Sequence, residues 1–198
     1  TTDTVTGIFD SNAALFTFNP KEITVDNEDP GFRIIESNQK NKLQSFFKKE
    51  SEDKYKNLNF WMPPSKWTAT IGVNYYGDYI NSAVYKKSGS GSNKTEWTTQ
   101  IQIPGFYEVF VYTSELPMMG WRRRGSEEKK MQYYTVKHDD GEEEISVETG
   151  RGRQGWMTLG SFYFSAGEAK ITLSDKGSES NQIIFADAVK WVYTNNNK

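Results

Sequence analysis

The sequence contains no cysteine and only one histidine, His138, among its 198 residues. The absence of cysteine excludes disulfide bonds, thiol nucleophiles and cysteine-ligated metal sites. A single histidine excludes any site that needs two imidazoles, and a serine-type triad would have to use His138 as its base. This histidine falls in a predicted hairpin turn, where an exposed loop residue is the simpler interpretation. We therefore expect the chain not to be an enzyme, and a lyase or hydrolase is the least favoured of the functions considered.

Long apolar runs and an excess of basic residues are also missing. No window of about 18 consecutive apolar residues exists, so we expect no membrane span. Lys and Arg total 24 against 26 Asp and Glu, a net charge of -2. General nucleic-acid binding needs a clear basic excess, so we expect no nucleic-acid partner. The chain begins Thr1-Thr-Asp-Thr, without a methionine or a signal-peptide apolar region, and we expect a fragment of a longer or processed protein.

Aromatic residues are abundant, at 15% of the chain, and they favour strands. Residues 154–192 carry the clearest pattern, which predicts three successive strands separated by turns at Gly167 and at 176–181. In the last of these, residues 183–192, the odd positions are apolar and share one face with Asp187. A carboxylate among hydrophobic side chains must be hydrogen-bonded or bound to a cation. Asp187 is therefore either a satisfied structural carboxylate or a ligand group.

Short strands separated by turn residues recur along most of the chain. Only residues 39–59 carry helical spacing, and a short amphipathic helix or a partly ordered insertion fits them equally well. This pattern predicts an all-β, antiparallel sandwich or jelly roll spanning residues 24–198. Residues 1–23 are either a strand of that domain or the tail of a preceding one. The other predicted strands cover residues 22–25, 67–73, 96–103, 106–112, and the hairpin 131–137 and 142–147.

Two surface features are candidate sites. Oxygen donors cluster at residues 26–29 (Asp26, Asn27, Glu28 and Asp29), with Asp187 as a potential neighbour, so a structural calcium ion is one interpretation and a turn bonded to itself is the other. For ligand contact, exposed aromatic rings suit the apolar face of a sugar, and guanidinium groups suit carboxylates. The predicted ligand-binding residues are Trp121, Arg122, Arg123, Arg124, Arg151, Arg153, Tyr75 and Tyr76. The structural alternative is that Trp121 packs on the sandwich and the arginines are solvated or pair with acids.

Seven segments, in the same order along residues 24–193, resemble the golvesin C-terminal-like domain, also described as xanthan-lyase carbohydrate-binding-like. Two parts depart from the pattern: residues 39–59 look inserted, and Glu148-Thr149 stand where an Asn-Gln pair is usual. The matching segments are 25–32 (VDNEDPGF), Trp67 with 75–77 (YYG), 95–97 (TEW), 103–111 (IPGFYEVFV), 134–141 (YTVKHDDG), 155–160 (GWMTLG) and 186–189 (ADAV).

This resemblance implies a non-catalytic, galactose-binding-like jelly roll that accompanies carbohydrate-active or cell-wall enzymes. We accordingly expect an accessory domain of a secreted or surface bacterial protein that binds polysaccharide weakly and is monomeric. The alternative is a structural domain of the same fold, without glycan affinity, that contacts neighbouring domains of the parent protein.

Overall fold

The computed structural model describes residues 21–37, 54–114, 129–150 and 152–194. The described residues form twelve strands, and the strands pair only in antiparallel fashion. They are β1 (Glu22–Val25), β2 (Phe32–Ile35), β3 (Thr68–Ile71), β4 (Ser82–Lys87), β5 (Lys94–Ile101), β6 (Gly105–Thr113), β7 (Lys130–His138), β8 (Gly141–Thr149), β9 (Gly155–Phe164), β10 (Gly167–Gly177), β11 (Ile183–Ala186) and β12 (Val189–Thr194).

Two sheets enclose the main core. The first, called sheet A here, has the order β1-β12-β6-β9, and the second, sheet B, has the order β2-β5-β10-β7-β8. Alternate side chains of both sheets meet between them, as expected for strands with one buried face. Trp97 and Tyr134 of sheet B lie in the same core cluster as Tyr107 and Trp191 of sheet A. The prediction of an all-β antiparallel sandwich is therefore confirmed.

A third sheet, with the order β11-β4-β3, borders this core. Five of the six residues of β4 are buried because both faces of the strand are covered. Val84 points into the main core, whereas Tyr85 joins a second cluster with Tyr75 and Phe185. The part of the chain that the structure describes contains no helix long and apolar enough to cross a membrane.

Local sequence explains several of these elements. β7 and β8 form the predicted hairpin, and only two residues separate the terminal pair His138 and Gly141. The two turn residues, Asp139 and Asp140, do not have positive φ, whereas the next residue, Gly141, has φ of +131°, a conformation that favours glycine. The helix considered for residues 39–59 falls largely outside the described residues, and residues 54–59 are not helical. The proposed boundary between residues 1–23 and 24–198 stays a prediction.

The predicted single strand over residues 183–192 is wrong. The chain leaves the third sheet after Ala186 and enters sheet A at Val189, so β11 and β12 belong to different sheets. Ile183 and Phe185 consequently face the second cluster, while Val189 and Trp191 face the main core. The two residues between the strands, Asp187 and Ala188, lie beneath the loops that form the candidate site.

Candidate functional site

The backbone between β11 and β12 is held by groups from both main sheets. The indole Nε1 of Trp97 donates to the carbonyl of Asp187 at 3.0 Å, and the amide of Tyr112 donates to the carbonyl of Ala188 at 2.8 Å. The bond from Tyr112 continues the register of the β6–β12 pair, whereas the bond from Trp97 comes from the other sheet, and together they fix the Asp187 side chain at one end of the sandwich.

The Asp187 carboxyl joins two loops. Its Oδ2 accepts hydrogen bonds from the amide of Tyr76 at 3.2 Å and from the hydroxyl of Ser114 at 3.1 Å. The residue is only 2% exposed, and Oδ1 has no hydrogen-bond partner among the described residues. Burial raises the pKa of Asp187 well above its ordinary value, the two hydrogen bonds oppose that rise, and nearby Asp26 adds to it. The two bonds of Oδ2 fit the structural role considered above, but Oδ1 is left unpaired, so the structure does not decide between a structural carboxylate and a ligand group.

Residues 26–29 form a turn with several internal hydrogen bonds, although the buried Asn27 Oδ1 has no partner among the described residues. The amide of Asp26 donates to Asp29 Oδ2 at 2.8 Å, and the amide of Asn27 donates to Asp26 Oδ1 at 2.7 Å. Glu28 forms an ion pair with Lys54. Burial raises the pKa of Asp26 to about 7, and the neighbouring Asp29 and Glu28 charges act in the same direction.

This geometry supports the self-bonded turn more than the calcium site. Across residues 21–37, 54–114, 129–150 and 152–194, no group of three or more His, Asp or Glu side chains is arranged to hold a metal ion. The calcium hypothesis therefore gains no ligand set from the described residues, whereas the hydrogen bonds of the turn account for the Asp-rich sequence.

Three loops meet near Asp187. The Thr113 hydroxyl donates to the carbonyl of Arg153 at 2.5 Å, which ties the end of β6 to residues 152–154. The Gln154 side chain donates to the carbonyl of Asn74 at 3.3 Å, which ties the same residues to the loop 72–81 between β3 and β4. Ser114, bonded to Asp187, immediately precedes residues 115–128. The described residues Asn74, Ser114 and Arg153, which lie in or next to the predicted ligand-binding segments, are therefore close to one another.

The two adjacent tyrosines of the 72–81 loop have different environments. Tyr75 is 6% exposed, and its ring packs 5.9 Å from that of Phe185 in the second cluster. Tyr76 is half-buried at the end of the sandwich where the three loops meet, which is called the rim here. Gly77 follows with φ of +149°, and a Cβ at this position would lie 2.1 Å from the carbonyl oxygen of Ile80. Only glycine fits this tight reversal, which positions Tyr76.

The Tyr76 ring completes an aromatic triad with Tyr112 and Trp156. The ring centroids are 5.6 Å apart for Tyr76 and Tyr112, 5.1 Å for Tyr76 and Trp156, and 5.3 Å for Tyr112 and Trp156. All three rings remain partly exposed. The ammonium of Lys190 lies 4.6 Å from the Trp156 ring centroid, within the range of a cation–π interaction. The triad is a partly open aromatic surface with a cation at its edge.

A comparison of the sequence with protein-family models identifies the family of this chain. The model of the Golvesin C-terminal domain matches residues 54–193. The chain belongs to the Golvesin C-terminal domain family. This result confirms the resemblance inferred from the seven segments, and the match includes the 72–81 loop, the triad and Asp187.

One solved structure shares the fold of this golvesin domain. A Paenibacillus xanthan lyase matches with a TM-score of 0.60 and 20% sequence identity, over 88% of this chain and 13% of that chain. The golvesin domain thus corresponds to a small part of the enzyme's length. A family 35 carbohydrate-binding module from Clostridium thermocellum matches with a TM-score of 0.48 and 13% identity, over 86% of this chain and 98% of that chain. Comparison with curated proteins gave no match.

The golvesin domain brings together only some of the residues predicted to bind ligand. Trp121, Arg122, Arg123, Arg124 and Arg151 lie outside the described residues. Tyr76 is at the rim and Tyr75 is in the interior. The Arg153 guanidinium is half-exposed and lies 3.4 Å from the Glu148 carboxylate.

Sequence reasoning missed Tyr112, Trp156 and Lys190 as members of the site. The signal that could have found them is the alternation in β6, which turns Tyr112 outward, together with its pairing to Trp156. His138, in contrast, lies far from the triad. The amide of its neighbour Asp139 donates to the carbonyl of Tyr163, and Tyr163 is roughly 20 Å along β9 from Trp156.

Proposed function

We propose that this golvesin domain is a non-catalytic, accessory carbohydrate-binding domain of a larger secreted or surface bacterial protein. Family membership supports this proposal, and so does a fold shared with a small part of an enzyme named for cleaving xanthan. The domain acts as a monomer, binds polysaccharide weakly, has no nucleic-acid partner and does not span a membrane.

The aromatic triad is the observation that carries the proposal. Tyr76, Tyr112 and Trp156 hold one another in place at the meeting point of three loops, so their orientation is fixed before any ligand arrives. Sugar rings present apolar C–H faces that pack on aromatic surfaces, while their hydroxyls need polar partners. The triad is shallow and only partly exposed, which is why we expect weak binding.

A cationic group beside the triad extends the proposed site. Lys190 supplies it, with its ammonium near the Trp156 ring, whereas the Arg153 guanidinium lies against Glu148 and is included because its loop is bonded to the end of β6. Trp121, Arg122, Arg123, Arg124 and Arg151 are retained in this proposal as ligand-binding residues predicted from the sequence, and they lie outside the described residues. Guanidinium groups bind carboxylates in a bidentate manner, so acidic sugars are retained as candidate ligands at this rim.

Affinity electrophoresis tests the proposal. The wild-type protein should migrate more slowly through gels containing xanthan, glucomannan or polygalacturonate than through a gel without polysaccharide. Tyr76→Ala and Trp121→Ala should each weaken this retardation about tenfold in Kd, which corresponds to about 1.4 kcal/mol. Tyr133→Ala is the matched control, since Tyr133 is a partly exposed tyrosine of sheet B away from the rim.

A second candidate function is favoured by exposed apolar side chains. Trp61, Met62, Ile71, Val73 and Tyr79 are all more than half exposed, and exposed apolar surface often marks a contact with another protein. In this alternative the domain contacts a neighbouring domain of its parent protein. Equal migration of the wild type in every gel would favour it over carbohydrate binding.

A further inference from the structure

The outer face of sheet A carries aromatic side chains well beyond the triad. In β6 the inward residues Tyr107, Val109 and Val111 are fully buried, as alternation requires. The outward residues of the same strand include Phe106 and Phe110, and Phe106 is 45% exposed. The strand therefore carries aromatic side chains on its outward face as well, although only the inward face contributes to the core.

The neighbouring strand β9 continues this aromatic surface. Tyr163 pairs with Phe106, with ring centroids 5.4 Å apart in an edge-to-face arrangement. Trp156 pairs with Tyr112 at the other end of the two strands. Phe106 and Tyr112 are six residues apart, which corresponds to about 20 Å along a strand. Aromatic pairs thus mark both ends of a surface long enough for several sugar rings.

Polar groups separate the aromatic pairs. Glu108 faces Ser161, Phe110 faces Thr158 across the register shift, and Glu108, Ser161 and Thr158 are exposed. We call this surface the β6 strip, and it consists of Phe106, Glu108, Phe110, Tyr112, Trp156, Thr158, Ser161 and Tyr163.

The chemistry of the β6 strip favours a carbohydrate over a protein or lipid partner. Cross-strand aromatic pairs stabilise a sheet, but that role does not require alternation with exposed carboxylate and hydroxyl groups. A sugar chain can contact aromatic and polar side chains in alternation, because each ring offers an apolar face and several hydroxyls. A purely apolar partner would leave Glu108 without water or a hydrogen-bond partner, which is costly.

The charges on this face indicate an uncharged chain. Glu108 and Glu22 are exposed carboxylates on the outer side of sheet A. Lys190 is the cation among them, and its ammonium already lies 3.4 Å from Glu22. Negative charge therefore exceeds positive charge on the described outer face, which disfavours an acidic polysaccharide along the strip.

We propose that the β6 strip extends the rim site into an elongated face for a linear, uncharged polysaccharide, so that the domain binds internal stretches of a chain. This inference rests on the proposed carbohydrate-binding function and names its ligand class. It differs from the rim site in location, since Phe106 and Tyr163 lie at the opposite end of β6 from Tyr76.

Electrophoresis through gels of glucomannan, hydroxyethylcellulose or xanthan tests this proposal. The wild type should be retarded in at least one of the two neutral gels. Phe106→Ala should weaken that retardation at least threefold in Kd, and Tyr133→Ala should leave it unchanged. Ser161→Gln is a second variant, because a longer side chain at this exposed position obstructs the strip without touching the core. Thermal unfolding of each variant confirms that it is folded.

The outcomes separate this inference from the proposed function. If Tyr76→Ala weakens binding while Phe106→Ala and Ser161→Gln do not, the strip is unused and the rim site stands. Retardation by xanthan alone, strengthened by Glu108→Gln, overturns the uncharged ligand class. Normal migration in all three gels overturns binding along the strip, and normal migration in polygalacturonate as well overturns the proposed function. Competition by oligosaccharides gives a further readout: a six-residue glucomannan oligomer should compete at least tenfold better than a two-residue one, and equal competition overturns binding along the strip.

Discussion

Asp26 and Asp187 are carboxyl groups in the interior near the rim, and each is more easily protonated in the folded protein than in the unfolded chain. For Asp26 the pKa rises from 3.8 to about 7 on folding, chiefly because of burial. The folded state therefore binds more protons than the unfolded state between about pH 4 and pH 7, so stability must fall as the pH rises through this window. Asp187, whose pKa is also raised, contributes in the same direction.

We predict that the thermal unfolding midpoint of the wild type decreases as the pH is raised from 4 to 7. In Asp26→Asn the slope should be smaller than in the wild type but not zero, because Asp187 still titrates differently in the two states. Differential scanning calorimetry at half-unit pH intervals measures both slopes.

Groups with lowered pKa values do not obscure this test. Hydrogen bonds and charge pairing lower the pKa of Glu28 and Asp175 despite burial, so their contribution is lost only at more acidic pH. Glu143→Gln, at an exposed position of β8, is a suitable control and should keep the wild-type slope. An unchanged slope in Asp26→Asn would show that this carboxyl is already ionised at pH 4.

Single residues also show where sequence reasoning ends. Tyr75 and Tyr76 are adjacent and identical, and the sequence predicted both as ligand-binding residues. The structure buries the first and leaves the second at the rim, because the 72–81 loop closes at Gly77 and bonds to Asp187. That closure depends on a residue 111 positions away in the chain, which no local pattern reveals.

Among the strands, prediction succeeded where the pattern is local. Strands β5 and β6 and the hairpin of β7 and β8 carry branched or aromatic residues bounded by turn formers, and these signals suffice. Strand β4 was missed, since Lys86 and Lys87 at its end make it look like solvent-exposed chain. The division of residues 183–192 into β11 and β12 was missed because it depends on distant partners: β11 pairs with β4, whereas β12 pairs with β6.

Lys86 explains why a strand with two lysines is buried. Its ammonium forms an ion pair with Asp175 of β10, and both side chains are almost fully inaccessible. Asp175 also accepts from the amide of Gly91 at 2.7 Å and from the side chain of Asn93 at 2.9 Å. The loop between β4 and β5, which composition alone marks as flexible, is therefore anchored by one buried carboxylate.

We predict that Lys86→Met destabilises the protein by about 3–5 kcal/mol, because it leaves the Asp175 charge buried without its partner. Lys87→Met is the matched control: the neighbouring lysine is exposed and its replacement should change stability by less than about 0.5 kcal/mol. Urea denaturation at pH 7 measures both. If Lys86→Met and Lys87→Met change stability by the same small amount, the ion pair does not stabilise the protein beyond the packing of its neighbours.

For the whole molecule, the match to the family begins at residue 54, whereas the sheets begin earlier. Strand β1 forms one edge of sheet A and β2 forms one edge of sheet B. Ile23 and Val25 of β1 are buried in the main core, and Phe32 of β2 packs 5.4 Å from Trp97. The earlier segments therefore complete both sheets of the sandwich, although the family model does not include them.

We predict that a chain of residues 54–198 is less stable than one of residues 21–198 by at least about 4 kcal/mol. The shorter chain loses two buried aliphatic side chains, each of which contributes about 2–5 kcal/mol when it is replaced by a small residue. It also opens the edges of β12 and β5, and unpaired edges promote association between chains. Urea denaturation gives the stability difference, and size-exclusion chromatography detects the association. Equal stability and a monomeric shorter chain would instead identify residues 54–193 as the complete folding unit, with β1 and β2 as additions to its surface.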